Sequence, residues 1–201
     1  FKKEPRNSKV LMVYGDYFYE QGHFEKAREF YDKAKRSDNN FLAYLKLASI
    51  YKRWKNYEKA YDLLMQAENI NSTDYRVTFD LGKFYLERKR YEEARKYLEL
   101  TLKFYPQFKE GLSKLIEFYI TQEKYAEAIQ RNNELLELDP ENPILYYHMA
   151  ICYERLRQYE QAIEFLMDGQ KYDFSDEVLI IKAEEKKITG NTSKNTAGMP
   201  V

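Results

Sequence analysis

The chain has 201 residues and carries 33 Lys and Arg against 33 Asp and Glu, a formal net charge of zero. The uniform positive field that grips a phosphate backbone is therefore missing, and nucleic acid is not expected as a partner. Its single cysteine, Cys152, excludes an internal disulfide, and no apolar run approaches the ~18 residues that a membrane-spanning helix needs.

Residues 1–7 are polar and charged around Pro5 and are expected to form a leader without regular structure. From Ser8, placed as an N-cap, a first helix pair is expected to run to residue 40. Its first helix turns Leu11, Tyr14, Gly15 and Phe18 inward, Gly22 and His23 make the turn, and its second helix turns Phe24, Ala27, Tyr31 and Ala34 inward. The pattern returns over 41–74 with Tyr44, Leu47, Ala48 and Tyr51, then Tyr57, Ala60, Leu64 and Ala67. Over 75–108 it consists of Leu81, Gly82 and Tyr85, then Tyr91, Ala94, Leu98 and Thr101. Over 109–142 it is Leu112, Leu115, Ile116 and Tyr119, then Tyr125, Ala128, Asn132 and Leu135. Over 143–176 it is Tyr146, Met149, Ala150 and Tyr153, then Tyr159, Ala162, Leu166 and Gly169. A final helix within 177–190, with Leu179, Ile180 and Ala183 apolar and one wet face, is expected to cap the array, and 191–201 to be a disordered tail.

The register is fixed by Ala27, Ala60, Ala94, Ala128 and Ala162, which follow one another at 33, 34, 34 and 34 positions. A small residue is required where the two helices of a pair come closest, and a larger one there typically costs about 1–3 kcal/mol by overpacking. Pro106 and Pro140 are expected to end the second helix of their units, while Asn39 and Ser72 stand in that slot elsewhere, residue types that can turn the chain through side-chain hydrogen bonds. Phe174 departs from the pattern. The unit at 109–142 is expected to be the irregular one. It has Ile116 where its neighbours have Gly82 and Ala150, Leu135 where earlier units have Ala34 and Ala67, and Asn132 interrupting its apolar stripe.

Raw material for catalysis is thin. His148 and Cys152 lie one helical turn apart, as a thiol and base or a metal pair would require. The plainer expectation is that Cys152 packs and His148 is a polar lining residue. Trp54 is expected to lid an apolar turn, and Glu92 and Glu93 to solvate an exposed face. No glycine-rich phosphate loop is present.

A helix, a tight turn and a second helix repeated at about 34 residues, with an aromatic ending the first helix, a small residue early in the second and a later proline, resembles the tetratricopeptide repeat (TPR) family over residues 8–176. The resemblance implies an all-α fold, a right-handed superhelical solenoid of antiparallel helix pairs, with five repeats and a cap. It further implies a non-catalytic scaffold that binds a protein or peptide partner, with no cofactor, metal site or catalytic residue. Regulation within a larger enzyme and self-association through the solenoid ends are the alternatives, and the oligomeric state is open. A cytoplasmic location is favoured, although a chain starting at Phe1 could have lost an N-terminal targeting segment.

In the family the first helices make the concave wall. Carried over, its places here are Met12, Asp16 and Tyr19; Lys46, Ser49 and Arg53; Arg76, Phe79, Asp80 and Lys83; Lys114 and Glu117; and Tyr147, His148 and Ile151. The alternative is an ordinary solvated face. No frame assembles the two-carboxylate clamp by which some members hold chaperone tails. Charge is unevenly spread, with 22 basic and 16 acidic residues in 1–108 and 7 against 14 in 109–176. A partner with a matching gradient is expected to be steered into one orientation.

Overall fold

Side chains just ahead of the helices decide where the first helix of each pair begins. The computed structural model describes residues 7–37 and 40–172; the expected capping helix, the tail and all but the last residue of the leader lie outside the described residues. Asn7, Asn40, Asp74 and Asn142 each accept a hydrogen bond from the backbone N–H two residues on, at 2.9, 3.2, 2.9 and 3.1 Å. These caps start α1 (Ser8–Glu20), α3 (Phe41–Arg53), α5 (Tyr75–Glu87) and α9 (Pro143–Arg155). Phe108 precedes α7 (Lys109–Thr121), which therefore begins without a side-chain cap bond. The cap of α1 is Asn7 rather than Ser8. Ser8 lies inside the first turn, buried, where its hydroxyl donates to the Ala34 carbonyl at 3.4 Å and accepts from Asn40 at 2.8 Å.

A second device ends these helices. Gly22, Lys55, Lys89, Glu123 and Arg157 have φ of 75, 58, 56, 57 and 61°, the left-handed region. Around Lys55, its own N–H donates to the Lys52 carbonyl and the Asn56 N–H to the Tyr51 carbonyl, both at 2.9 Å. The same two bonds recur at all five turns, the pattern of a Schellman motif. Each motif reverses the chain into a second helix: α2 (Phe24–Ser37), α4 (Tyr57–Ile70), α6 (Tyr91–Phe104), α8 (Tyr125–Leu138) and α10 (Tyr159–Gln170). The described residues thus form ten helices in five antiparallel pairs, with no strand among them.

The chain divides into two compact units between Pro106 and Gln107. Unit 1 holds α1–α6 and unit 2 holds α7–α10. Within unit 1, Ala27, Ala60 and Ala94 are fully buried, as are Tyr31, Leu64 and Leu98 on the same faces. The closest approaches fall at glycines. A Cβ on Gly15 would sit 2.3 Å from Tyr31 Cε1, and one on Gly82 would sit 2.9 Å from Leu98 Cδ2, so the α1–α2 and α5–α6 pairs depend on the missing methyl.

In unit 2, Ala128 and Ala162 take the same buried place. α7 carries Ile116, fully buried, where Gly82 stands in α5. Asn132 of α8 is buried, in the register of Leu64, Leu98 and Leu166. Its amide nitrogen donates to the Leu145 carbonyl of α9 at 2.7 Å, and its Oδ1 has no partner among the described residues.

α3 is flanked by α2 and α4, and Ala43, Leu47 and Ile50 are fully buried. α1 packs chiefly on α2 and reaches α3 through Asp16–Lys46 and Tyr19–Ser49. Its corresponding Val10, Tyr14 and Tyr17, together with Val13, are exposed at one-turn spacing. Tyr14, expected inward, instead stacks on Phe30 at 5.4 Å with its other face in water. Tyr91 is likewise exposed.

Candidate functional site

The expected wall residues of unit 1 come together across helices. On α1, Asp16 accepts from the Tyr31 phenol at 2.7 Å and pairs with Lys46 of α3 at 2.8 Å. Burial first, and Asp16 second, push the Tyr31 phenol above its ordinary value, which keeps it a donor. One turn on, the Tyr19 hydroxyl lies 3.1 Å from Ser49 Oγ of α3, and the Tyr19 ring meets Phe24 edge-on at 5.3 Å. Arg53 at the end of α3 lays its guanidinium over the same Phe24 ring, 4.4 Å from its centre. Met12 is half-buried against the core.

On α5, Arg76 grips Asp74 with two hydrogen bonds at 2.8 and 2.7 Å and lies over Phe41 of α3 at 5.1 Å. That guanidinium holds the Asp74 carboxyl below the usual carboxylate range. Lys83 pairs with Asp80 at 2.9 Å and covers the ring of Phe79, itself buried. Lys46, Arg76 and Lys83 are thus each answered by an acid of the protein. Reversing them to Glu would set like charges against Asp16, Asp74 and Asp80, so any steering by unit 1 rests on its net balance rather than on these cations.

In unit 2, Lys114 and Glu117 pair along α7 at 2.6 Å. On α9, Tyr147 packs its ring 6.3 Å from that of His148, and Ile151 is half-buried. His148 Nδ1 is buried without a partner among the described residues, and burial lowers the imidazole pKa, opposed in part by Glu117. A buried base with a lowered pKa lets the unfolded chain take up the proton first. Stability from His148 is therefore complete above the ordinary histidine value and is expected to be lost as pH falls below about 6.5. Urea unfolding from pH 7.5 to 5 should show a falling midpoint in the parent protein and a flatter profile in His148→Gln.

Cys152 is buried, and burial pushes its thiol up to about 11, which favours the protonated form at neutral pH. Among the described residues no group of three His, Cys, Asp or Glu is placed to hold a metal ion, and no helix is long and apolar enough to cross a membrane. Trp54 caps α3 and meets Tyr51 edge-on at 5.4 Å. Glu92 and Glu93 pair with Arg95 and Arg90 on the surface of α6.

Sequence reasoning missed Tyr31, Phe24 and Phe41 as supports of the wall. They lie on second helices or helix starts, and only distance in space relates them to Asp16, Arg53 and Arg76. The one available signal was Phe24 standing where the later repeats have Tyr57, Tyr91, Tyr125 and Tyr159.

Models of the tetratricopeptide repeat match residues 55–115 and 119–184, and a further one matches 1–41. A TPR repeat-containing protein of Methanocaldococcus jannaschii is 23% identical over 163 residues, which is 80% of this chain and 26% of that protein. The TPR repeat-containing protein YpiA of Bacillus subtilis is 31% identical over 121 residues, 59% of this chain and 28% of the relative. The chain therefore spans about a quarter of the length of these curated relatives. Among solved structures, Pseudomonas aeruginosa pilF superposes with a TM-score of 0.75 at 22% identity, covering 92% of this chain and 87% of the other. YrrB, a TPR protein with an unusual peptide-binding site, superposes with a TM-score of 0.70 at 19% identity, covering 92% and 95%. With helix pairs, period and family models in agreement, the chain belongs to the tetratricopeptide repeat family.

Proposed function

We propose that the chain is a non-catalytic scaffold that takes a peptide segment or helix of a partner protein on the wall of its first helices. Proteins of this family are in general interaction scaffolds, and YrrB, similar in fold over most of its length, is a TPR protein with a peptide-binding site of its own. The observation that carries the proposal is the patch of unit 1. Asp16 with Lys46 and Tyr19 with Ser49 form two contacts across α1 and α3, and Arg53 lies over the Phe24 ring beside Tyr19. Side chains ordered before a partner arrives lose little entropy when it does, which favours a binding surface over a merely solvated one. Arg76, Asp80 and Lys83 extend the surface along α5, with Phe79 beneath Lys83. Lys114, Glu117, Tyr147, His148 and Ile151 are the candidate surface of unit 2.

Site-directed photo-crosslinking tests this. With benzoylphenylalanine at Tyr19 or Lys83 a partner protein is expected to be captured, and with the same group at Glu29 or Gln66, exposed on second helices, it is not. Capture from Glu29 or Gln66 alone, or equally from all four, would move the interface off the first helices and overturn the proposal.

A further inference from the structure

Four cations of unit 1 stand on the expected wall, and three are neutralised by the protein itself, Lys46 by Asp16, Arg76 by Asp74 and Lys83 by Asp80. Arg53 has no carboxylate beside it among the described residues. It is held instead by the Phe24 ring. Packing against a ring occupies the face of a guanidinium and leaves its in-plane N–H donors for an acceptor. Ser49 lies one turn before Arg53 on α3, and its hydroxyl shares a hydrogen bond with that of Tyr19, whose ring abuts the same Phe24. Two hydroxyls joined by one bond use one proton and keep one free to donate. A guanidinium edge and a hydroxyl pair with one spare proton thus border the same ring, that of Phe24.

We propose that Arg53, with Ser49 and Tyr19 beside it and Phe24 beneath, is an anchor for the carboxylate of an Asp or Glu side chain in the bound segment. This rests on the groove proposal above and adds the chemistry of one subsite. A carboxylate is acceptor-only and planar, so it matches a guanidinium edge with two parallel bonds and takes a third from a hydroxyl. The surplus of basic residues in 1–108, 22 against 16, favours the same sign of ligand. Because three neighbouring cations are already satisfied, the acid is placed at one point rather than spread along the wall.

The whole chain is used to select binders from a random dodecapeptide display library. The selected sequences, synthesised with amidated C-termini, are titrated against the parent protein, Arg53→Gln, Arg53→Lys and Arg88→Gln. Arg88, over Tyr57 at 4.9 Å just past α5, is a stacked arginine off the wall and serves as the control. The expected result is an Asp or Glu at a fixed place in the binders and a roughly tenfold or greater loss of affinity with Arg53→Gln, as for a hydrogen bond to a charged group. Arg53→Lys should recover part of that loss and Arg88→Gln should change nothing. Binders without a fixed acid, binders that hold Arg53→Gln as tightly as the parent, or binding that vanishes on amidation each overturn the carboxylate anchor and leave the groove proposal standing. A library that yields no binder refutes the groove proposal and the anchor with it.

Discussion

Tyr31→Ala is expected to cost unit 1 about 3–5 kcal/mol, the range for emptying a fully buried aromatic site. Tyr31 has no exposed surface and fills the space left by Gly15, whose absent Cβ would lie 2.3 Å from the ring. Truncation would therefore open a cavity between α1 and α2 that neither helix can close without shifting. It would also take from Asp16 a donor at 2.7 Å. Asp16 keeps Lys46 and is partly in water, so that second loss is the smaller one. Tyr31→Phe separates the two, since it keeps the ring and removes only the hydroxyl, and should cost about 1 kcal/mol. Urea unfolding followed by circular dichroism measures both. If Tyr31→Phe proved as damaging as Tyr31→Ala, the hydrogen bond to Asp16 would be the dominant interaction and the packing account would fail.

The opposite sign is expected at the turns. Lys55, Lys89, Glu123 and Arg157 all hold the left-handed conformation that Gly22 adopts in the first repeat. A side chain in that region costs about 1–2 kcal/mol, while glycine pays part of this back as extra entropy in the unfolded chain. Replacing the four with glycine should therefore stabilise by about 0.5–1 kcal/mol each. The sites are a repeat apart and should add, to about 2–4 kcal/mol together. Gly22→Ala should destabilise by about 1 kcal/mol. Thermal melts of the single and combined variants decide the matter; a quadruple variant melting at or below the parent would show that contacts of the replaced side chains outweigh the backbone term.

These turns also show where sequence was silent. The alanines at about 34-residue intervals are fully buried in every pair, and from them the helix pairs and their register could be read. The five Schellman motifs are just as regular, but Lys, Glu and Arg carry no signature of a left-handed residue. Only Gly22 gave a sign, and it marked one turn in five. At the start of α1 the sequence Asn-Ser offers two capping residues in succession, and the outcome was decided by Ser8 reaching Ala34 and Asn40, partners far along the chain. The wall residues followed from helical register, whereas their pairing did not. Asp16 with Lys46 is a contact between helices 30 positions apart, and Arg53 over Phe24 joins residues that no periodicity relates.

An array built from neighbour contacts has no common centre, so the free energy of opening differs from place to place. Within unit 1, α1 leaves Val10, Val13, Tyr14 and Tyr17 exposed where α3 buries Ala43, Leu47 and Ile50, and its amides are expected to exchange with solvent faster than those of α3. The proposed binding patch straddles these two helices. Asp16 and Tyr19 ride on the looser one, and Lys46, Ser49 and Arg53 on the firmer. A ligand lying across them would tie the loose end to the firm one, and its arrival would be written in the exchange rate of α1 before any change of shape could be seen.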